Sequence, residues 1–211
     1  MSMKAANKKS DVWITTHSGK MSGIRSISTN PLSNLFCQRM HGCGNTDIIC
    51  THCYATNLVG FRHSLWEHME NNSRILSEKV LPLDELPIYD DELMRFHSFG
   101  ELINLTHVIN VYNICYVNPL TQHVIYSKRC DMLQDMYHLK PSNLRIIESN
   151  PLVNSVIMKP KSSVADSVFN VVTPDYLEEH PEYMATCKMA CDSCRLCYTK
   201  NKLKFIVELL K

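Results

Sequence analysis

Leu93-Met-Arg-Phe-His97, a helical run over 101–117 closed off by Pro119, and His123-Val-Ile-Tyr126 follow one another along the chain. The outer two have the length of strands and the middle one the length of a helix. Strand, helix, strand in succession implies a crossover and parallel pairing. The pattern continues outward. Residues 129–138 read as a short helix, and Leu144-Arg-Ile-Ile147, Ser155-Val-Ile-Met158 and Phe169-Asn-Val-Val172 read as three further β-rich runs. Upstream, 62–80 reads as a helix with Leu65, Met69, Ile75 and Val80 toward one face and Pro82 beyond its end. Residues 10–34 are polar apart from Val12-Trp-Ile14. A closed eight-stranded α/β barrel needs about 250 residues, more than the 211 here. The expected class is therefore α/β: an open or partial (β/α) barrel-like parallel sheet, one domain over 1–211, with Cys-rich segments at 37–53 and 187–198.

Composition narrows the function classes. The chain is 45% hydrophobic and 20% charged, with a formal charge of +1. That is an ordinary globular balance, with no basic excess to require nucleic acid as a partner. Lys200, Lys202 and Lys204 read as a solvated face. No stretch approaches the roughly 20 apolar residues of a membrane span. Met1 to Ser10 carries Lys4, Lys8 and Lys9, but no apolar run follows as in a secretory signal. The expectation is a cytoplasmic protein in a reducing thiol pool, where clustered cysteines serve metals or redox chemistry rather than structural disulfides.

Eight of the ten cysteines fall into two groups: Cys37, Cys43, Cys50 and Cys53, then Cys187, Cys191, Cys194 and Cys197. All eight are candidate metal ligands, in one site or two. Cys50-Thr-His-Cys53 is a good zinc knuckle. The tail run, with overlapping C-x2-C units, is harder to wrap around one tetrahedral ion. A cubane iron–sulfur cluster presents separate irons to a closely wound chain and fits it better. Cys187-Lys-Met-Ala-Cys191-Asp-Ser-Cys194 also has the C-x3-C-x2-C spacing of radical S-adenosylmethionine enzymes, in which three thiolates leave one iron open. Its late position, Ser193 where an aromatic residue usually stands, and the nearby Cys197 weigh against that match. His41 and His52 are alternative ligands within the first group, and Cys115 and Cys130 read as core residues.

Ligands of parallel sheets sit beyond the C-terminal ends of strands. The polar residues there are Arg95, His97, Ser98 and Glu101 after the first clear strand, Lys128 after the second, and Ser149 within Glu148-Ser-Asn150 after the third. They form a candidate pocket for an anion or small molecule.

Taken in order, Asn34-Leu-Phe-Cys37, Cys50-Thr-His-Cys53-Tyr54-Ala55, Arg95-Phe-His97-Ser98-Phe-Gly100-Glu101, Tyr126-Ser-Lys128 and Cys191-Asp-Ser-Cys194-Arg-Leu-Cys197-Tyr198 resemble the phage gene product 88 family. These are Cys-rich phage proteins distantly similar to radical-SAM-like barrel proteins. The resemblance covers residues 25–200. It implies a phage-encoded, cluster-binding α/β protein acting in the bacterial host cytoplasm, with a host or phage protein as partner. Ser98-Phe-Gly100-Glu101 departs from the family's expected Ser-x-Gly-Asp, which leaves the role of Glu101 open.

Three functions follow. The first is a [4Fe–4S] protein with a structural, redox-sensing or partner-binding role. The second is a radical enzyme cleaving S-adenosylmethionine, and the third a structural zinc module. The first is the leading expectation.

Overall fold

The computed structural model describes residues 10–199 and 203–210. Lys4, Lys8, Lys9, Lys200 and Lys202 lie outside the described residues. The elements run β1 (Arg25–Ile27), α1 (Leu35–His41), α2 (Tyr54–Phe61), α3 (His63–Glu78), β2 (Leu93–Phe96), α4 (Leu105–Val117), β3 (Gln122–Ser127), α5 (Cys130–Asp135), β4 (Leu144–Val153), β5 (Ser167–Val172), α6 (Pro174–Glu179), α7 (Cys191–Cys194) and β6 (Phe205–Leu209). The six strands form one sheet in the spatial order β1-β2-β3-β4-β5-β6, and every neighbouring pair is parallel. Ile27 lies beside Phe96, Phe96 beside Ile125, and Ile125 beside Ile146. The fold is thus mixed α/β, with an all-parallel sheet and flanking helices.

Strand order that equals chain order has a structural reason. Crossovers that step from each strand to its neighbour carry α3, α4 and α5 over one face. That face holds the larger core: Ile27, Phe96, Ile125, Leu144 and Ile146 from the sheet pack against Leu76 of α3, Val108, Val111, Tyr112 and Cys115 of α4, and Leu133 of α5. The side chains one position along point the other way, as strand alternation requires. Leu93, Val124, Ile147 and Ile206 form a second core, covered by Met21, Cys187, Cys191, Cys197 and Tyr198. The Cys-rich tail is therefore the lid on the sheet's second face.

Element ends follow local chemistry. Asn104 caps α4, its side chain accepting from His107 N at 2.9 Å. The expected helix over 101–117 consequently starts at Leu105. Residues 101–104 form a loop, in which the Glu101 carboxylate takes the Leu102 N–H at 2.8 Å. β2 stops at Phe96 because His97 adopts φ 60°, a left-handed conformation that ends the ladder. Asn110, buried in α4, closes the end of α3. It accepts from Leu81 N at 2.9 Å and donates to the carbonyls of Leu76 and Lys79, each at 2.8 Å.

Two β assignments need correction. Ser155–Met158 is not a strand. Its backbone is satisfied by side-chain amides instead: Ile157 N donates to Asn170 Oδ1 at 2.9 Å, and Ile157 O accepts from Asn170 Nδ2 at 3.1 Å. Glu148-Ser-Asn150 lies inside β4 rather than beyond it. The strand runs on to Val153 because its second half holds the first Cys loop, through an antiparallel bridge from Ile48 to Leu152 and a 2.7 Å bond from Val153 N to Asp47 O. β1, β6 and the four short helices α1, α2, α6 and α7 are further elements beyond those expected.

Candidate functional site

The connection after β1 brings three thiols to the C-terminal edge of the sheet. Asn34 caps α1, accepting from Phe36 N at 3.0 Å and Cys37 N at 3.2 Å. Its Nδ2 donates to Glu101 O at 2.9 Å, which ties the start of α1 to the loop after β2. Cys37 sits in that helix. Cys50 lies in the 3-10 turn Ile49–His52, and Cys53 caps α2. The Cys37 thiol interacts electrostatically with both Cys50 and Cys53. Cys43 is exposed, and its thiol donates to Met40 O of its own turn at 3.1 Å. His41 and His52 are occupied locally, with Nδ1 of His41 2.8 Å from Cys50 O and Nε2 of His52 2.8 Å from Thr46 O.

Glu101 and Lys128 adjoin these thiols. The Glu101 carboxylate is buried, yet fully oriented: Oε1 accepts from Ser127 Oγ at 2.6 Å and Oε2 from Lys128 N at 2.8 Å. Burial raises its pKa against the opposing pull of Lys128. Burial likewise pushes the Cys37 thiol up, and the Glu101 charge adds to it. Burial raises Cys50 too, countered by the charge of Lys128. Next to them lies a cavity of about 360 Å³, lined among others by Phe36, Met40, Lys128, Cys130, Glu148 and Ser149.

His97 is buried between this rim and the helices. Neither ring nitrogen has a hydrogen-bond partner; the Glu101 carboxylate is 3.8 Å from Nδ1, and the His107 ring stands edge-on at 5.3 Å. Burial, helped by the Arg95 charge, lowers its pKa to about 3, so the imidazole is neutral. Ser98 turns toward Met21, with Oγ 3.8 Å from the Met21 sulfur.

The second thiol group lies across the other face of the sheet. Cys187, Cys191, Cys194 and Cys197 are all half-buried and form one electrostatic neighbourhood. Cys191 and Cys194 are the two ends of α7, a single turn closed by Arg195 at φ 52°. Cys187 is held by its own N–H to Val207 O at 3.0 Å and by Lys20 Nζ, which donates to Cys187 O and to Glu208 Oε1, both at 2.6 Å. Arg145, buried in β4, reaches through to donate to the carbonyls of Leu196, at 3.1 Å, and Thr199. Burial raises the thiols of Cys187, Cys191 and Cys197, the last to about 11, with Tyr126 pulling the other way. Arg95 lies on this face, its guanidinium 4.1 Å from the centre of the Tyr126 ring.

The expected pocket residues therefore divide. Glu101, Lys128 and Ser149 belong to the rim, Arg95 belongs to the tail side, and His97 and Ser98 sit between. Cys115 and Cys130 are buried core residues as expected, although Cys130 also borders the cavity. Lys20 and Arg145 are contributors that no local motif marks, because each acts on a partner far away in sequence. As placed, no three Cys, His, Asp or Glu side chains among the described residues converge tightly enough to hold a single metal ion. In comparisons with known proteins, no family model, no curated protein and no solved structure matches the chain.

Proposed function

We propose that the chain is an iron–sulfur protein built on an open barrel, with one cluster on Cys37, Cys50 and Cys53 and a second on Cys187, Cys191, Cys194 and Cys197, and that the rim cluster takes S-adenosylmethionine. One observation carries this reading. Three thiols rather than four gather on the connection after β1, at the strand ends where ligands of parallel sheets bind, beside a cavity of about 360 Å³. A three-thiolate cluster keeps one iron free of protein ligands. The C-x3-C-x2-C run at Cys187–Cys194 is then a poorer candidate for the reactive site, since Cys197 stands ready as a fourth ligand.

The chemistry of the donors fits. Thiolates are the usual ligands of iron–sulfur clusters, and three thiols on one connection could each serve a separate iron. Lys128 lines the cavity and would offer a cation to the carboxylate of the methionyl group, while Glu101, its oxygens taken by Ser127, Lys128 and Leu102, would hold the Lys128 backbone in place. Neutral His97 adds no competing charge. When bound, the cluster would supply an electron for cleavage of S-adenosylmethionine. The protein's part would be to orient that ligand with Lys128 and to shield it under α1. The motifs that carry this reading also carry the resemblance to the phage gene product 88 family. They imply a host-cytoplasmic setting and a host or phage protein as partner or substrate.

The test is anaerobic purification with iron, sulfide and zinc analysis, followed by electron paramagnetic resonance of the reduced protein with and without S-adenosylmethionine. The expected result is two clusters, one of whose spectra changes with S-adenosylmethionine and disappears in Cys50→Ser. Stoichiometric zinc without sulfide would replace the reading with a structural zinc module. Iron and sulfide with no response to S-adenosylmethionine would leave a cluster protein without that cosubstrate.

A further inference from the structure

Arg95 is a cation with no carboxylate. The other arginines near the sheet edges are paired: Arg25 with Asp91, Arg129 with Asp131, and Arg195 with Glu92. Buried Arg145 is satisfied by two carbonyls and the Ser167 hydroxyl. Among the described residues, Arg95 makes no ion pair. It donates to the Met21 sulfur at 3.4 Å and covers the Tyr126 ring, while its Nε is shielded from solvent without an acceptor. A part-buried guanidinium with a shielded Nε, and with a sulfur and a phenol ring as its neighbours, leaves part of its solvation uncompensated.

The groups that Arg95 acts on define the missing anion. Met21 and Tyr126, the two side chains that Arg95 touches, pack in one cluster with Cys187, Cys191 and Cys197. Lys20, another cation of this face, is already neutralised by Glu208. A cluster held by four thiolates is an anion, and adding an electron makes it more negative by one charge. We infer that Arg95 is the built-in counter-cation of the tail site and that it raises the reduction potential of the cluster there. This rests on the cluster reading above. Arg95 is a positioning and tuning residue, not a ligand.

The experiment is a dithionite redox titration of the anaerobically purified full chain, followed by electron paramagnetic resonance. The tail signal is identified as the one that Cys194→Ser removes. Dithionite supplies the electron and the cluster accepts it. In Arg95→Gln, the ratio of reduced to oxidised tail cluster at a fixed potential is expected to fall by about tenfold, a shift of about 59 mV for one electron. Arg95→Lys, which keeps the charge, is expected to recover most of it. An unchanged potential in Arg95→Gln at full iron content overturns the inference and leaves the cluster reading standing. Should Arg95→Gln lose its iron, Arg95→Lys decides. Iron retained there supports a charge role, and iron lost there too shows that the residue acts through packing. Wild-type protein without iron and sulfide overturns both the reading and the inference.

Discussion

Gly100→Ala should destabilise the protein by about 2–5 kcal/mol, and the structure separates the two causes. Gly100 adopts φ +75°, and a Cβ there would land on the carbonyl oxygen and Oγ1 of Thr29. The left-handed backbone costs a non-glycine residue about 1–2 kcal/mol. Forcing an extra methyl into packed surroundings typically costs about 1–3 kcal/mol more. Thr29 cannot yield easily, because its N–H bonds Phe99 O at 3.3 Å and its hydroxyl bonds Glu101 O at 3.1 Å. Gly44 is the control. It has φ +72°, but a Cβ added there would meet nothing within 4 Å, so Gly44→Ala should show only the backbone cost. Urea unfolding of the three proteins, compared at equal slope, reads the difference directly. Equal losses in Gly100→Ala and Gly44→Ala would refute the steric argument, and a loss under about 1 kcal/mol in both would refute the backbone one as well.

Asn110→Ala should cost about 2–4 kcal/mol, since it strands one N–H and two carbonyls at the end of α3; thermal unfolding of a correctly folded variant checks this. Arg145→Met should loosen the tail over the sheet by releasing the carbonyls of Leu196 and Thr199; limited proteolysis is expected to cut within 187–199 several-fold faster than in wild type. Stability should also fall as pH drops below about 6.5. Burial holds the folded-state pKa of His97 at about 3 and of His123 at about 4, and that of His107 well below its usual value. The unfolded chain therefore binds more protons than the folded one between about pH 6.5 and pH 4, and stability rises with pH across that window. Glu101 has the opposite slope, its folded pKa being raised by burial, but it is one group against four, since burial lowers His17 as well. Urea midpoints that stay flat from pH 7 to pH 5 would contradict this.

The sheet is readable where the chain alternates runs of strand length with runs of helix length. Leu93–Phe96, Gln122–Ser127 and Leu105–Val117 all stand within a few residues of where their patterns point. What the sequence hides has a common cause. β1 is three residues long and sits in a polar segment, and β6 is five residues long with Lys204 before it and Glu208 inside it, so neither offers a window long enough for periodicity. Ser155–Met158 has β-branched composition but no strand to pair with, because Asn170 satisfies its backbone first. The eight clustered cysteines announce thiol chemistry, yet their spacing alone does not say that Cys43 stands apart from Cys37, Cys50 and Cys53. That partition depends on Asn34 fastening α1 to Glu101 and on Ile48 pairing with Leu152. Arg95 is legible as a strand-end polar residue but not as an unpaired cation, since pairing is decided by residues far along the chain.

The tail that covers the sheet's second face also sets a schedule. Five strands, from Arg25 to Val172, leave the ribosome before Cys187 does, and β6 follows later still. Until then Leu93, Val124 and Ile147 have helices only behind them, and β5 is an open edge of a parallel sheet. Such an apolar face and free edge invite association with other chains. The nascent protein is therefore most exposed to aggregation between the emergence of β5 and that of β6. A nascent chain from which β5 has emerged and β6 has not should present a chaperone substrate that one with only β1 emerged does not.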